Sequence, residues 1–449
     1  MKKITLGILV LLAFTFSAKA SHLMGGEIVV KVDSNNTAYF TLTLYRDGNP
    51  GSAGLGQTTS LQISQIGVSI PNVTLQRSSQ TTLASSYLTE KHVYTGSITL
   101  PGNGLFTASF SLCCRNGAIM NGPANTGFYL STDFTSYNIL NSHTPVFLND
   151  PMVTFPLDTV WSYNPLPFDA DGDSLHWKLD TPMSASATNI SSYTAPPSNP
   201  NGLFAMNAQT GEIRWSASQV GNYAVSILVE EYRAGIKIGE MRRDMQLIVL
   251  PDSSSMNMIR PSTPLVTNTA GQPLNVSFQV KSSNPQATLG LSSIGDPYQI
   301  VNSNANFAVS GSGTSTLSGT FTWTPAASDA RDRPYRVVVR ATDGKFSYDY
   351  TLLISVAANN VSLEGYNKSN GLTLYPNPSN GMITVGLKDV DQPSYLLEVF
   401  DIQGNLVKQL NVNSSDLSSE LKVQIESGKG TYILRLNNSN ELSKTLIIE

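Results

Sequence analysis

Charge is scarce in this chain. Lys, Arg, Asp and Glu together make up 13 % of its 449 residues, about half the usual ~25 %. The 28 basic and 32 acidic side chains are spread out with no Lys/Arg run, so a groove that tracks nucleic-acid phosphates has no raw material. Only two cysteines occur, adjacent at Cys113 and Cys114, which excludes a disulfide framework and the C-x-x-C redox spacing. A vicinal disulfide would demand a distorted peptide. The alternation Phe106, Ala108, Phe110, Leu112, Cys114 points Cys114 inward and Cys113 outward, so two free thiols are the preferred expectation. The four histidines, His22, His92, His143 and His176, show no zinc-binding spacing. A phosphate loop and a dinucleotide fingerprint are both missing, and Ser310-Gly311-Ser312-Gly313 is a flexible loop rather than a nucleophile elbow. Composition leaves open a glycosidase-like pair of carboxylates. The chain nevertheless offers no large single domain for a deep cleft, and a non-enzyme is expected.

Helical periodicity is lacking too. What the chain has instead is strands. Tyr39–Tyr45, Ala224–Val229 and Tyr335–Ala341 are β-branched, aromatic and largely alternating, and Gly, Asn, Pro and Ser punctuate the sequence every ten or so residues. The expected fold is all-β: tandem β-sandwiches of immunoglobulin-like or cadherin-like type, closed by a small C-terminal β-sandwich. At the N-terminus, Lys2 and Lys3 precede the apolar stretch Ile4–Phe16 and then Ala18-Lys19-Ala20. This reads as a signal peptide cut between Ala20 and Ser21, with no cysteine next to the cut to carry a lipid. Beyond Ser21 no stretch approaches membrane-spanning length. The expected route is through the periplasm to the cell surface or the medium. Linker-like composition near residue 150, at 251–255 and at 361–370 gives the expected organisation. It comprises a leader (1–20), an N-terminal β domain (21–150), a first module (151–255), a second module (256–360), a linker (361–370) and a terminal domain (371–449).

The two middle segments read as divergent repeats. Gly211-Glu212-Ile213-Arg214-Trp215 precedes Tyr223, Val225, Ile227 and Val229, and Gly319-Thr320-Phe321-Thr322-Trp323 precedes Tyr335, Val337, Val339 and Ala341. The alternation sends each Trp to a sheet face shared with other apolar side chains, so both are expected in cores. With Asp169-Ala170-Asp171-Gly172-Asp173-Ser174-Leu175 and the closing Val-rich strands, these segments resemble immunoglobulin-like and cadherin-like modules of bacterial surface proteins. In that family the closing strand ends near an Asp. Asp343-Gly344 fits in the second repeat, whereas the first has Glu230-Glu231. Asp169, Asp171 and Asp173 surround a glycine turn, and three such carboxylates favour a hard cation with oxygen ligands, most naturally Ca²⁺. The competing reading is an acidic turn bonded to its own backbone.

Two further resemblances bear on function. His22-Leu23-Met24-Gly25-Gly26-Glu27, Cys113-Cys114-Arg115-Asn116 and Thr144-Pro145-Val146-Phe147 look like the leading region of gliding- and adhesion-associated Bacteroidetes proteins. The C-terminal segment carries Tyr375-Pro376-Asn377-Pro378 and Gly381, the hairpin Asp401-x-x-Gly404, the strand opened by Gly430, and the final strand with Lys444. It is very similar to the type A sorting domain of the type IX secretion system. That resemblance implies as partners an outer-membrane translocon and a sorting peptidase, followed by surface attachment or release. The expected function is a non-catalytic, adhesin-like surface protein with its binding face in the N-terminal domain. The alternative is an accessory polysaccharide-binding or hydrolytic protein of the same route. A row of exposed aromatics drawn from Tyr39, Tyr45, Tyr87 and Tyr94 would favour glycan binding, and a concave carboxylate pair would favour hydrolysis.

Overall fold

The computed structural model describes residues 22–49, 52–83, 88–137, 142–151, 154–254, 256–311, 313, 315–358, 372–388, 392–436 and 439–449. The cleavage pair Ala20 and Ser21, the linker 361–370 and Tyr87 lie outside them. Nearly every described element is a strand, and the only α-helix among them is the single turn Ser414–Ser418. The chain divides between Asn359 and Asn360 into two compact units.

The first unit is built on a 12-stranded sheet. Its N-terminal part comprises β1 (Leu23–Val32), β2 (Thr37–Asp47), β3 (Thr58–Ser64), β4 (Val73–Thr82), β5 (Thr89–Thr99), β6 (Gly104–Leu112) and β7 (Phe128–Ser136). These run in the order β7–β6–β3–β4–β5–β2–β1. Strict alternation packs their inner faces: Phe106, Ala108 and Phe110 of β6 meet Phe128, Leu130 and Phe134 of β7 in a core that also takes Ile28, Val30, Phe40 and Leu42. The strand Ile236–Leu250, from the segment expected to be a separate module, joins this sheet. It pairs with β7 through Glu240↔Asp133 and Met241↔Thr132 and with β1 through Gly26↔Asp244, so the sheet path returns on itself. The expected boundary at 150/151 is therefore crossed by main-chain pairing, because closing the open edges of β1 and β7 removes two rows of unpaired backbone groups. The strands Gly221–Arg233 and Ser174–Asp180 extend the same sheet. A smaller sheet of Val160–Tyr163, Ile213–Ser216 and Ala205–Met206 covers a second core around Trp161, Trp215, Tyr223 and Met245.

The second repeat forms a sandwich of two four-stranded sheets over Phe278, Phe321, Trp323 and Tyr335. Both repeat tryptophans are core residues, Trp215 at 0 % and Trp323 at 2 % exposure. This sandwich is not an isolated bead. Phe346 packs into the preceding core, and the buried Asp349 accepts bonds from Asn149 (2.8 Å), Arg340 (2.7 and 2.9 Å) and the backbone N–H of Asn164 (3.0 Å). The second unit has its own core, including Leu372, Ile383, Val385, Leu397 and Leu434, between a three-stranded and a four-stranded sheet.

One cysteine expectation is corrected. Cys113 and Cys114 are bonded to each other across a cis peptide rather than standing as two free thiols. The bond follows β6 immediately, where the strand has ended and the backbone is released from the ladder.

Candidate functional site

Two of the N-terminal segments that carry one resemblance, His22–Glu27 and Cys113–Asn116, meet at the strand Ile236–Leu250. Within this strand, successive side chains of Arg242, Arg243 and Asp244 leave opposite faces. Arg115 donates two bonds to Asp244, at 2.5 and 2.8 Å, and stacks over Phe128. Arg243 reaches Glu27 at 3.1 Å, the Asn149 carbonyl at 2.9 Å and the hydroxyls of Tyr45 and Tyr163. All four charged groups are buried. Burial pushes Asp244 and Glu27 above the usual carboxylate range, only partly offset by Arg115 and Arg243 respectively. The glycine pair explains itself here. A Cβ on Gly25 would collide with the Asp244 carbonyl oxygen and lie 2.8 Å from Met245 Cα, and one on Gly26 would lie 2.6 Å from the Thr43 carbonyl. Only glycine lets β1 approach the closing strand so closely. The Met24-Gly25-Gly26-Glu27 and Cys113-Cys114-Arg115-Asn116 motifs thus form a structural junction.

A second charged cluster has a different balance. The turn Asp169–Asp173 swings through Gly172 at φ +84°, and the strand it opens pairs Leu175 with Glu231. A β-bulge between Glu231 and Tyr232 re-aims the side chains there. Gly239 leaves room beside the Glu231 carboxylate, since a Cβ would sit 2.9 Å from Oε2. One oxygen each from Asp169, Asp173 and Glu231 consequently falls within 4.8 Å of the others. The sequence-expected triad is redrawn: Asp169 and Asp173 converge, but Asp171 turns away. It takes the His143 backbone N–H at 2.8 Å and faces that ring's Nδ1 at 2.7 Å, because His143 is held beside it by pairing with β1. Glu231 takes its place. The signal was present as Glu230-Glu231 in the position of the family's closing Asp, but nothing local chose between the two.

The electrostatics are those of crowded like charges. Asp169, Asp173 and Glu231 are 6 %, 6 % and 2 % exposed. Burial, with the Asp173 and Asp171 charges behind it, pushes Asp169 up to about 6 despite a backbone bond from Asp173 at 2.8 Å. Burial and then the Asp169 and Asp173 carboxylates push Glu231 up as well. Burial would also raise Asp173, but Arg233, bonded at 2.9 and 2.5 Å, outweighs it and holds that carboxyl low. Arg233 also reaches Asp171 at 3.1 Å. Asp169 Oδ2 and Glu231 Oε1 have no hydrogen-bond partner.

Among the described residues, Tyr39, Tyr45 and Tyr94 do not make the aromatic row that would favour glycan binding. Tyr45 and Tyr94 are buried at 1 % exposure, while Tyr39 is exposed with its hydroxyl on Asp33. A groove of about 460 Å³ instead crosses β3, β6 and β7, lined by side chains including Ser60, Gln62, Thr107, Ser109, Ser111 and Tyr129, with Ala185–Ala187 among its remaining lining residues. Every described residue lining it is uncharged.

In the second unit, Asn377 ties the Tyr375–Pro378 turn to the final strand: its Nδ2 donates to the Thr445 carbonyl at 2.7 Å and its Oδ1 accepts from Ile447 N–H at 2.8 Å. Pro376 and Pro378 both follow cis bonds, and Tyr375 bonds Glu420. The Gly381 carbonyl accepts from Ile425 N–H at 2.8 Å. Asp401 caps its hairpin by accepting from Gln403 N–H and Asn405 N–H, each at 2.9 Å, around Gly404 at φ +84°. Gly430 opens the strand that pairs with the last one, where Lys444 is exposed opposite Leu434.

Residues 373–449 match the family model of the secretion system C-terminal sorting domain. The protein is thus one exported by the type IX secretion system, and its destination is the cell surface or the medium. No described helix is long and apolar enough to cross a membrane. Among solved structures, the chain is similar to the Ig1-Ig2 fragment of Dpr2 in complex with DIP-Theta (11 % identity, 48 % of this chain and 100 % of that one, TM-score 0.20). It is also similar to the FN1-FN3 domains of chicken CNTN1 (9 % identity, 67 % and 96 %, TM-score 0.15) and to the D1-D2 domains of Rst (9 % identity, 47 % and 99 %, TM-score 0.17). No curated protein matches the chain.

Proposed function

We propose that this is a non-catalytic, adhesin-like protein that reaches the exterior through its sorting domain and binds a neutral glycan through the groove on β3, β6 and β7. The observation that carries the reading is the chemistry of that groove. Hydroxyl and amide groups can exchange hydrogen bonds with sugar hydroxyls, while the half-buried Tyr129 offers a ring face for stacking. An uncharged lining disfavours phosphate and acidic peptides, which need cationic partners. The carboxylate cluster supports binding over hydrolysis, because its carboxylates are buried, whereas a glycosidase pair must face the scissile bond from either side.

The test is a glycan array probed with the mature chain and with its Tyr129→Ala and Gln62→Ala variants. Neutral polysaccharide should be retained by the wild type and lost from both variants at unchanged melting temperature. Binding that survives both substitutions would remove the groove from the account, and release of reducing ends from a retained polysaccharide would replace binding by hydrolysis.

A further inference from the structure

We infer that Asp169, Asp173 and Glu231 are the protein ligands of one hard divalent cation, for which Ca²⁺ is the fitting ion, and that Asp171 is not among them. The placement of the three groups is the first reason. Two come from one turn and the third from a strand some sixty residues later in sequence, yet an oxygen of each lies within 4.8 Å of the others. The backbone is specialised to bring them there, through the left-handed Gly172, the bulge after Glu231 and the cleared space at Gly239.

The second reason is independent of the clustering. Asp169 and Glu231 are more than nine-tenths buried, and each has one carboxylate oxygen without a hydrogen-bond partner. A buried acceptor left unmade is costly, and these two oxygens belong to residues whose carboxylates converge. Charge gives the third reason. Asp169, Asp171, Asp173 and Glu231 stand against one guanidinium in direct contact, Arg233, whose bonds go to Asp171 and Asp173. Arg333 nearby spends its bond on the Asp173 backbone carbonyl at 3.0 Å. The surplus negative charge sits on the side of Asp169 and Glu231, where a divalent ion would balance it. The donors are all oxygen, with no His or Cys in the set, which selects Ca²⁺ over zinc or copper, and the remaining positions of a six- to eight-coordinate ion fall to carbonyls and water.

The experiment uses the mature chain, stripped with chelator and then given Ca²⁺ or Mg²⁺, with melting temperature and equilibrium dialysis as readouts. One Ca²⁺ per chain should bind and raise the melting temperature by a few degrees, with a much smaller response to Mg²⁺. Glu231→Gln and Asp169→Asn should abolish the rise while melting no lower than wild type in chelator, because each removes a crowded charge and little volume. Asp171→Asn should keep the rise. The inference is overturned by melting that is indifferent to Ca²⁺ from micromolar to several millimolar. It is also overturned by a response that Asp171→Asn destroys and Glu231→Gln spares, which would restore the turn alone as the site.

Discussion

Two buried charge clusters draw on neighbouring strands of the first unit, and they are opposites. At the junction, Arg115 answers Asp244 and Arg243 answers Glu27, one guanidinium for each carboxylate. In the pocket, Asp169, Asp173 and Glu231 crowd together while Arg233 holds only the outer edge. A matched buried pair is expensive to bury and returns little net stability, but it penalises every arrangement that separates its members. It therefore specifies how β1 and β6 meet the strand Ile236–Leu250. An unmatched cluster specifies nothing by itself, and the cation inferred above would balance it.

The comparison can be broken most severely at the junction. Arg115→Met leaves Asp244 buried and alone, creating there the imbalance that the pocket has natively. We expect a loss of about 3–5 kcal/mol, read by urea unfolding of the mature chain. Adding Asp244→Leu should recover a substantial part of the loss, and a double variant as unstable as the single one would mean that the pair is not the source. Gly25→Ala attacks the same junction through its backbone. Forcing β1 away from the Asp244 carbonyl should cost about 1–3 kcal/mol, and an unchanged midpoint would show that the close approach carries no strain.

Smaller effects sharpen the contrast. Asp244→Asn and Glu231→Gln are the same chemical operation in the two clusters, and we expect opposite signs in chelator. Asp244→Asn should lower the melting temperature by leaving Arg115 without its counter-charge, whereas Glu231→Gln should leave it equal or higher. Truncation before Leu372 should have the smallest effect on folding, because the sorting domain owns a separate core. The first unit should then melt within a degree or so of its value in the full chain while export to the surface stops. Normal export of the truncated protein would contradict the sorting assignment.

The sequence disclosed what is local. Alternation located the strands, the apolar-x-Trp pattern placed Trp215 and Trp323 in cores, and Tyr375–Pro378 with Asp401 and Gly404 marked the sorting domain. It concealed what depends on register between distant strands. Gly26↔Asp244 and Leu175↔Glu231 are pairings across 218 and 56 residues of sequence, so neither the shared sheet nor the third carboxylate could be read from a turn. One clue was available: Arg242-Arg243-Asp244 is a dense charge run inside a strand flanked by Met241, Met245 and Leu247, in a chain with little charge. Such a run in a buried strand requires counter-charges from elsewhere, and Glu27 and Arg115 supply two of them. The shared sheet also means that the first module (151–255) does not complete its own sheet, since its longest strand pairs with β1 and β7.

The most direct test of the contrast between the clusters is anomalous diffraction from crystals of the mature chain grown with a lanthanide in place of Ca²⁺. One strong peak is expected between Asp169 Oδ2 and Glu231 Oε1, with none at Glu27, Arg115, Arg243 or Asp244. No peak in the pocket, or a peak held by Asp171 with Glu231 turned away, would contradict the account.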